Sequence, residues 1–165
     1  MKPTPAEVDP SAVHEGDLPC VDAVDAAYLE SLLGYNARRA SLAVIDVFLE
    51  RMAPHGLKPV DFSVLSLVRH NPGITSRQLC ASLGILPPNL VGLVNGLEKR
   101  GLVNRRPHPR DGRAQGLHLT GAGATLIEAA EITATELEAQ AAAGLTPAEL
   151  KTLLRLLRKV YRPAC

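Results

Sequence analysis

The stretch that decides the fold is ITSRQLCASLGILPPNLVGLVNGLEKRGLVNRRPHPRDGRAQGLHLT, residues 74–120. Thr75 and Gln78 have the spacing of a capping box, which starts a helix, and Gly84 is the kind of residue that ends one. The Pro87–Pro88 pair opens a second helix, because a proline in the first turn loses no needed hydrogen bond. Two short helices joined by a tight turn are therefore predicted, the pattern of a helix-turn-helix.

The second helix, expected from Pro87 to Arg100, has two unlike faces. Its inner face consists of apolar residues at helical spacing: Leu90, Leu93, Val94 and Leu97. Its outer face consists of small or neutral residues: Asn89, Val91, Gly92, Asn95 and Gly96. The helix is predicted to pack on a core with one side and to present only two uncharged polar side chains, both Asn, on the other.

After Gly101 the chain has the turn residues of a β-hairpin. Extended runs over 102–106 and 114–119 flank a tip at 107–112 that contains Pro, Gly and Asp. Residues 98–113 contain six Lys or Arg against two acidic residues, a local charge of +4; the whole chain carries +1, which leaves −3 for the remainder. Such a concentrated basic patch is typical of a surface that contacts phosphate groups.

Helical patterns flank this stretch on both sides. The first, from about Val24 to Met52, would be about 40 Å long at 1.5 Å per residue. One small core cannot cover that length, so part of the helix is expected to pack against another chain. A buried helix is expected from Pro59 to the turn at Asn71. On the C-terminal side an Ala-rich helix starts at Thr120, and a Leu-rich helix follows a second capping box at Thr146.

Cysteine usage and hydropathy narrow the class of protein. Cys20, Cys80 and Cys165 are odd in number and lack metal-ligand spacing, which favours a reducing cytosol. The first 20 residues lack the apolar core of a signal peptide, and no apolar run reaches the roughly 18 residues of a membrane span. The sequence shows no Gly-rich phosphate loop, Cys/His cluster or nucleophile–base pair. We predict a cytoplasmic protein that is not an enzyme and uses no cofactor or metal.

The segment GLEKRGLVNRRPHPRDGRAQGLHLT, residues 96–120, resembles the MarR (multiple antibiotic resistance regulator) family of bacterial transcription factors. The shared features are the helix end Leu97–Val103, the wing motif Asp111-x-Arg113, and the Gly144-Leu145-Thr146-x-x-Glu149 that precedes a Leu-rich helix. The resemblance extends over roughly residues 25–162. It implies a homodimer that binds a pseudo-palindromic site in double-stranded DNA, with half-sites about one helical turn apart.

The same resemblance implies a domain organisation. Residues 1–22, rich in Pro and acid, are interpreted as a flexible arm, with packing on a partner subunit as the alternative. Residues 23–165 form a single mainly α domain with a small β wing. Its winged helix-turn-helix is expected at about 57–120 and its dimerisation helices at about 24–53 and 120–162.

Residue types and the family pattern together assign DNA-binding roles. An Asn suits the adenine edge, and Val91 could contact a thymine methyl. Because the outer face of the second helix has only two uncharged polar side chains, few contacts with bases are expected. Arg105, Arg106 and His108 are expected to contact phosphates, and Arg110 and Arg113 the minor groove or phosphates. Asp111 is expected to support the wing. The full predicted set is Arg77, Gln78, Asn89, Val91, Asn95, Arg105, Arg106, His108, Arg110 and Arg113.

Members of the family commonly respond to aromatic acids, phenolic compounds or CoA thioesters, which implies an effector site near the first helix. Arg38 and Arg39 could bind a carboxylate through a bidentate pair; intersubunit salt bridges or a solvated face are the alternative. The predicted effector residues are Tyr35, Asn36, Arg38, Arg39, His55, Phe62 and Ser66. Two alternatives stay open: a regulator that senses oxidation at Cys20, and a dimerisation module that has the fold without specific DNA binding.

Overall fold

The computed structural model describes residues 22–108 and 111–162. For His108 and residues 111–113 it describes the backbone but not the side chains. These residues form seven α-helices and a three-stranded antiparallel sheet, which confirms the predicted mainly α fold with a small β wing. A short 3-10 turn, Ala53–His55, precedes the third helix. In chain order the elements are α1 (Ala27–Glu30), α2 (Leu33–Met52), α3 (Pro59–His70), β1 (Ile74–Thr75), α4 (Ser76–Leu83), α5 (Pro87–Lys99), β2 (Val103–His108), β3 (Asp111–Leu119), α6 (Gly121–Ala141) and α7 (Pro147–Tyr161).

The described residues divide into two units, one that ends at Arg38 and one that begins at Arg39. The first unit contains α1 and the start of α2, and the second contains the rest of α2 and all later elements. The predicted N-terminal arm, apart from Asp22, lies outside the described residues, and so do Cys20 and Cys165.

The first long helix is interrupted, whereas a continuous helix was expected from Val24 to Met52. Side chains donate hydrogen bonds to backbone carbonyls at the break between α1 and α2. Ser31 Oγ donates to the Tyr28 carbonyl at 2.7 Å, and Asn36 Nδ2 donates to the Glu30 carbonyl at 2.6 Å. Such side-chain bonds offer the backbone an alternative to the helical ladder. Apolar spacing alone carries no signal of this competition, so the sequence prediction missed the break.

The predicted start and end of α4 are confirmed. The Gln78 N–H donates to Thr75 Oγ1 at 3.4 Å, and the Thr75 N–H donates to Gln78 Oε1 at 2.9 Å, which forms the capping box. Gly84 ends the helix at φ +63°, a left-handed conformation that a side chain would strain. The turn that follows reorients the chain into α5 at an angle of 114° to α4.

The hairpin is longer than the sequence indicated, and it gains a third strand. β2 reaches His108 and β3 begins at Asp111, although both residues were expected in the tip. The unpredicted strand β1 pairs with β3 in antiparallel register, so that the sheet order is β1-β3-β2. In this pairing Ile74 opposes Leu117, which anchors the base of the wing to the segment just before α4.

The core lies within residues 52–137, and α3, α4, α5, the sheet and α6 contribute to it. Among the described residues no polar or charged residue is fully buried. The largest fully buried side chains include Met52, Leu65, Leu79, Leu90, Leu97, Leu117 and Ile127. This core holds the helix-turn-helix and the base of the wing on one scaffold.

The last helix, α7, begins at the predicted capping box of Thr146 and Glu149 but packs on little of the unit. Every residue from 151 to 162 is exposed. The apolar side chains among them are Leu153, Leu154, Leu156, Leu157, Val160 and Tyr161. A helix with an open apolar stripe of this kind is expected to bury it against another element.

Candidate nucleic-acid interface

Helix α5 packs with one face and leaves the other open. Leu90, Val94 and Leu97 are each about 1% exposed, whereas Val91 on the opposite side is 53% exposed. Asn89 and Asn95 are exposed on the same outer side. The predicted division of this helix into inner and outer faces is confirmed. An exposed helix of this size fits the major groove of B-form DNA.

The start of α5 is unusual in having almost no free backbone donors. Leu86 stands at the cap position in an extended conformation and forms no side-chain cap. Pro87 and Pro88 have no N–H group, and the next two N–H groups, of Asn89 and Leu90, both donate to the Leu86 carbonyl at 3.0 and 3.2 Å. The prolines therefore remove donors that a polar cap would otherwise satisfy.

The start of α4 presents Arg77 and Gln78, and both side chains are exposed. The Gln78 carboxamide oxygen is used in the capping box, where it accepts from the Thr75 N–H and hydroxyl, each at 2.9 Å. Arg77 is thus an exposed cation at this end of the helix, and its contact with a phosphate stays a prediction. Gln78 also has a structural role in the capping box.

Arg105 links the wing to α5. Its Nη2 donates to Asn95 Oδ1 at 2.8 Å, and its Nη1 lies 2.8 Å from Glu98 Oε2. Asn95 and Glu98 are three residues apart and so share one face of the helix. Both side chains contact the guanidinium of Arg105. The Arg105 side chain is 32% exposed and the Glu98 side chain is 25% exposed. Sequence reasoning named Arg105 and Asn95 separately, and it gave Glu98 no role.

The rest of the wing is only partly described. Arg106 follows Arg105 on β2 and is exposed. The backbones of His108, Asp111 and Arg113 lie in the hairpin, where His108 pairs with Asp111 across a register shift. Arg110 lies outside the described residues. The roles proposed for these five residues in DNA contact or wing support stay predictions.

A second group of predicted residues lies where the α3 region meets α6. His55 Nε2 is 2.9 Å from Thr133 Oγ1, and Ser66 Oγ donates to Glu131 Oε1 at 2.7 Å. Phe62 is half-buried and packs edge-to-face on Phe48, with ring centroids 5.7 Å apart. Three of the residues predicted to bind an effector therefore have protein partners: those of His55 and Ser66 lie on α6, and that of Phe62 lies on α2.

Glu131 is a residue that the sequence did not single out. Besides accepting a hydrogen bond from the Ser66 hydroxyl, its carboxylate lies 3.5 Å from Arg69 Nε and 3.1 Å from His70 Nε2. Arg69 also reaches Glu128 at 3.2 Å, while its Nη1 is buried without a hydrogen-bond partner among the described residues. No local pattern marks Glu131, because its partners come from a helix far away in the sequence.

The remaining predicted effector residues do not gather around a described cavity. Arg38 and Arg39 are exposed and Tyr35 is partly buried. Asn36 Nδ2 donates to two backbone carbonyls within its own unit. One cavity of about 550 Å³ is lined by Leu67, Asn71, Pro72, Gly73, Ile74, Gln78 and Ser82. Another of about 720 Å³ is lined by Ala81, Ser82, Leu83, Gly84, Tyr161 and Arg162. Neither includes a residue predicted to bind the effector.

Two other kinds of feature are missing from the described part of the chain. No group of three or more His, Cys, Asp or Glu side chains there is arranged to hold a metal ion. No single helix there has the length and hydropathy of a membrane span; α4 and α5 reach them only as a pair bent by 114°.

A helix-turn-helix whose second helix has an open outer face, followed by a basic hairpin, defines a winged helix-turn-helix protein. The family model described as the MarR family matches residues 55–114. A Thauera aromatica protein assigned as a transcriptional regulator of the hcr operon is 30% identical over 131 residues, 79% of each chain. The chain belongs to the MarR family of transcriptional regulators.

Two solved structures of the transcriptional repressor CouR share this fold. One, bound to a 23-mer DNA duplex, is 37% identical with a TM-score of 0.79, and the match covers 85% of this chain and 99% of CouR. The other, bound to p-coumaroyl-CoA, is 35% identical with a TM-score of 0.77 and covers 86% of this chain and 100% of CouR. The similarity thus extends beyond the winged segment to most of the chain.

Proposed function

We propose that this protein is a homodimeric, cytoplasmic repressor that binds a pseudo-palindromic operator and is released by an aromatic CoA thioester. The observation that carries the DNA-binding part is the open face of α5 beside the basic hairpin. The similarity of the chain to the repressor CouR, whose structure was solved in complex with a DNA duplex, supports the same role. The family and its relatives are regulators, so we propose no catalytic activity.

The exposed apolar stripe of α7 supports the dimer. Leu153 and Leu157, one helical turn apart, are 42% and 37% exposed, and Val160 is 59% exposed. Burying a leucine contributes about 1.5–3 kcal/mol, so leaving several in water is unfavourable. A second copy of the chain supplies an equivalent stripe and makes a two-fold interface.

The proposed effector is an aromatic CoA thioester, and its proposed site lies beside Ser66, whose hydroxyl donates to Glu131. Glu131 is itself paired with Arg69. The p-coumaroyl-CoA bound to CouR supports the same choice of ligand class. Phe62 and His55 are the proposed neighbours of the aromatic part.

The test is a selection of genomic DNA fragments with the purified full-length protein at a fixed salt concentration. We expect a small set of fragments to bind well above non-specific affinity. Bound duplex is then titrated with p-coumaroyl-CoA, free p-coumarate or CoA alone, and only the thioester is expected to release it at low concentration. Failure to enrich any fragment would contradict the repressor and favour a dimerisation module; release by the free acid alone would contradict the thioester.

A further inference from the structure

The contact between Arg105, Asn95 and Glu98 fixes the orientation of an amide on the outer face of α5. A guanidinium carries only donors, so the Asn95 atom that faces it at 2.8 Å has to be the oxygen. The Asn95 amide nitrogen is therefore the end of the carboxamide turned away from Arg105. Since Asn95 is exposed, this NH₂ group is available to a ligand.

Glu98 holds the guanidinium in this position. Its Oε2 lies 2.8 Å from Nη1, while Nη2 is the atom bonded to Asn95, so the two helix residues engage two different nitrogens. The carboxylate also neutralises the Arg105 charge where phosphates would approach. An arginine paired in this way is a weaker phosphate ligand than an unpaired one.

Arg105 and Arg106 are neighbours on β2, and both are exposed. Side chains alternate along a strand, so Arg105 points to the same side as Val103 and Arg106 to the other. On its side Arg105 engages Asn95 and Glu98 of α5. Arg106 carries the same charge one residue further along the strand, which makes it a matched control for Arg105.

We infer that Arg105 is a positioning residue that makes Asn95 a hydrogen-bond donor to the DNA and so sets the base it prefers. This rests on the proposed DNA binding and deepens it. Adenine is normally read by an Asn that both donates to N7 and accepts from N6. With its oxygen held by Arg105, Asn95 instead suits guanine, whose N7 and O6 are both acceptors. The preferred base at the Asn95 contact is therefore guanine.

The experiment selects a randomised duplex library with wild-type protein and with Asn95→Ala, Arg105→Ala, Glu98→Gln and Arg106→Ala. Affinities for the enriched duplex and its single-base changes are then measured from 50 to 200 mM salt. In the wild type, one position in each half-site should prefer guanine by roughly tenfold, the order of one good hydrogen bond. Asn95→Ala and Arg105→Ala should both lose that preference, and Arg105→Ala should gain adenine.

Salt dependence separates positioning from phosphate contact. Arg106→Ala should keep the guanine preference and flatten the slope of log K against log salt by about one unit. Arg105→Ala should change the base preference with little change of slope. Glu98→Gln keeps an acceptor for Arg105 but removes the charge, so it should keep the guanine preference and steepen the slope.

Three results would overturn the inference. One is an adenine preference at the position that Asn95→Ala flattens. Another is an Arg105→Ala variant that behaves like Arg106→Ala, with its base preference kept and its slope reduced by about one unit. The third is a wild-type protein that enriches no sequence; this alone would overturn the proposed function as well, so the two failures are distinguishable. Circular dichroism of each variant verifies that it is folded.

Discussion

Glu149 stabilises the first turn of α7 through bonds that depend on its charge. Its Oε2 accepts from the Thr146 hydroxyl at 2.6 Å and from the Thr146 N–H at 2.8 Å. Two hydrogen bonds hold the pKa of Glu149 below its ordinary value of 4.5. The bond from the Thr146 hydroxyl has the larger effect and the bond from the Thr146 N–H the smaller one. A carboxylate at a helix start also interacts favourably with the helix dipole.

A lowered folded-state pKa means that the folded chain releases this proton more readily than the unfolded chain. The contribution to stability is then complete above about 4.5 and is lost as the pH falls through the lower folded-state value. We expect Glu149→Gln to lower Tm at pH 7, with a difference that stays constant down to about pH 4.5 and narrows at lower pH. Melting curves at several pH values measure it, with Glu138→Gln in the last turn of α6 as the control. A difference that does not narrow below about pH 4.5 would contradict the assignment.

Capping residues of this kind could be predicted from the sequence, whereas the Arg105 contact could not. Thr146 and Glu149 act within three residues of each other, so the spacing alone predicts their bonds. The bonds from Arg105 to Asn95 and Glu98 depend on how the wing lies against α5. No single-sequence pattern specifies that placement.

The start of α6 depends on a close approach between two segments of backbone. Thr120 caps the helix through the Gly123 N–H at 3.0 Å and donates its hydroxyl to the Gly101 carbonyl at 2.6 Å. A Cβ added at Gly123 would overlap the Leu102 carbonyl oxygen. The helix can dock on the junction between α5 and β2 only because residue 123 has no side chain.

We expect Gly123→Ala to destabilise the protein by about 1–3 kcal/mol, the usual cost of overpacking. Gly121→Ala in the same helix is the matched control, since a Cβ there would meet nothing within 4 Å. Urea unfolding followed by circular dichroism measures both. Equal midpoints for the two variants would show that the backbone at residue 123 relaxes without cost.

At the scale of whole elements, the sequence predicted helices better than strands. The helix starts at Pro59, Pro87 and Thr146 follow from local residue choices and are confirmed. Strand β1 was missed because two residues are too short for a periodic signal, and its partner β3 comes much later in the chain. The interruption before α2 was missed because it depends on the side-chain bond from Asn36 to the Glu30 carbonyl.

For the molecule as a whole, the exposed stripe on α7 predicts that assembly depends on leucines. We expect Leu153→Glu with Leu157→Glu to convert the proposed dimer to a monomer, because each change removes about 1.5–3 kcal/mol of apolar burial and adds a charge. That loss corresponds to at least about a tenfold weaker association per site. Sedimentation velocity over a range of concentrations measures it.

Arg155→Glu is the control for charge on the same helix, since residue 155 lies on the side away from Leu153 and Leu157. This variant should remain dimeric. A double leucine variant that sediments like the wild type would mean that α7 is not the main interface. The sequence predicted a partner chain from helix length and family resemblance, and helical spacing placed Leu153 and Leu157 on one face of the last helix. The structure adds that these side chains are exposed within the chain.

The two prolines that open α5 have a consequence for how such a regulator can change over time. Most helix starts can grip a phosphate with backbone N–H groups, a contact that substitutions leave intact. At positions 87 and 88 the backbone has no such group to offer, so contacts from this end must come from side chains. Under the proposed function, we expect the basic hairpin and Arg77 to supply most of the general attraction to DNA, and the side chains of α5 to select the sequence. Mutations in α5 are then expected to redirect the protein to new operators without weakening its overall affinity for DNA.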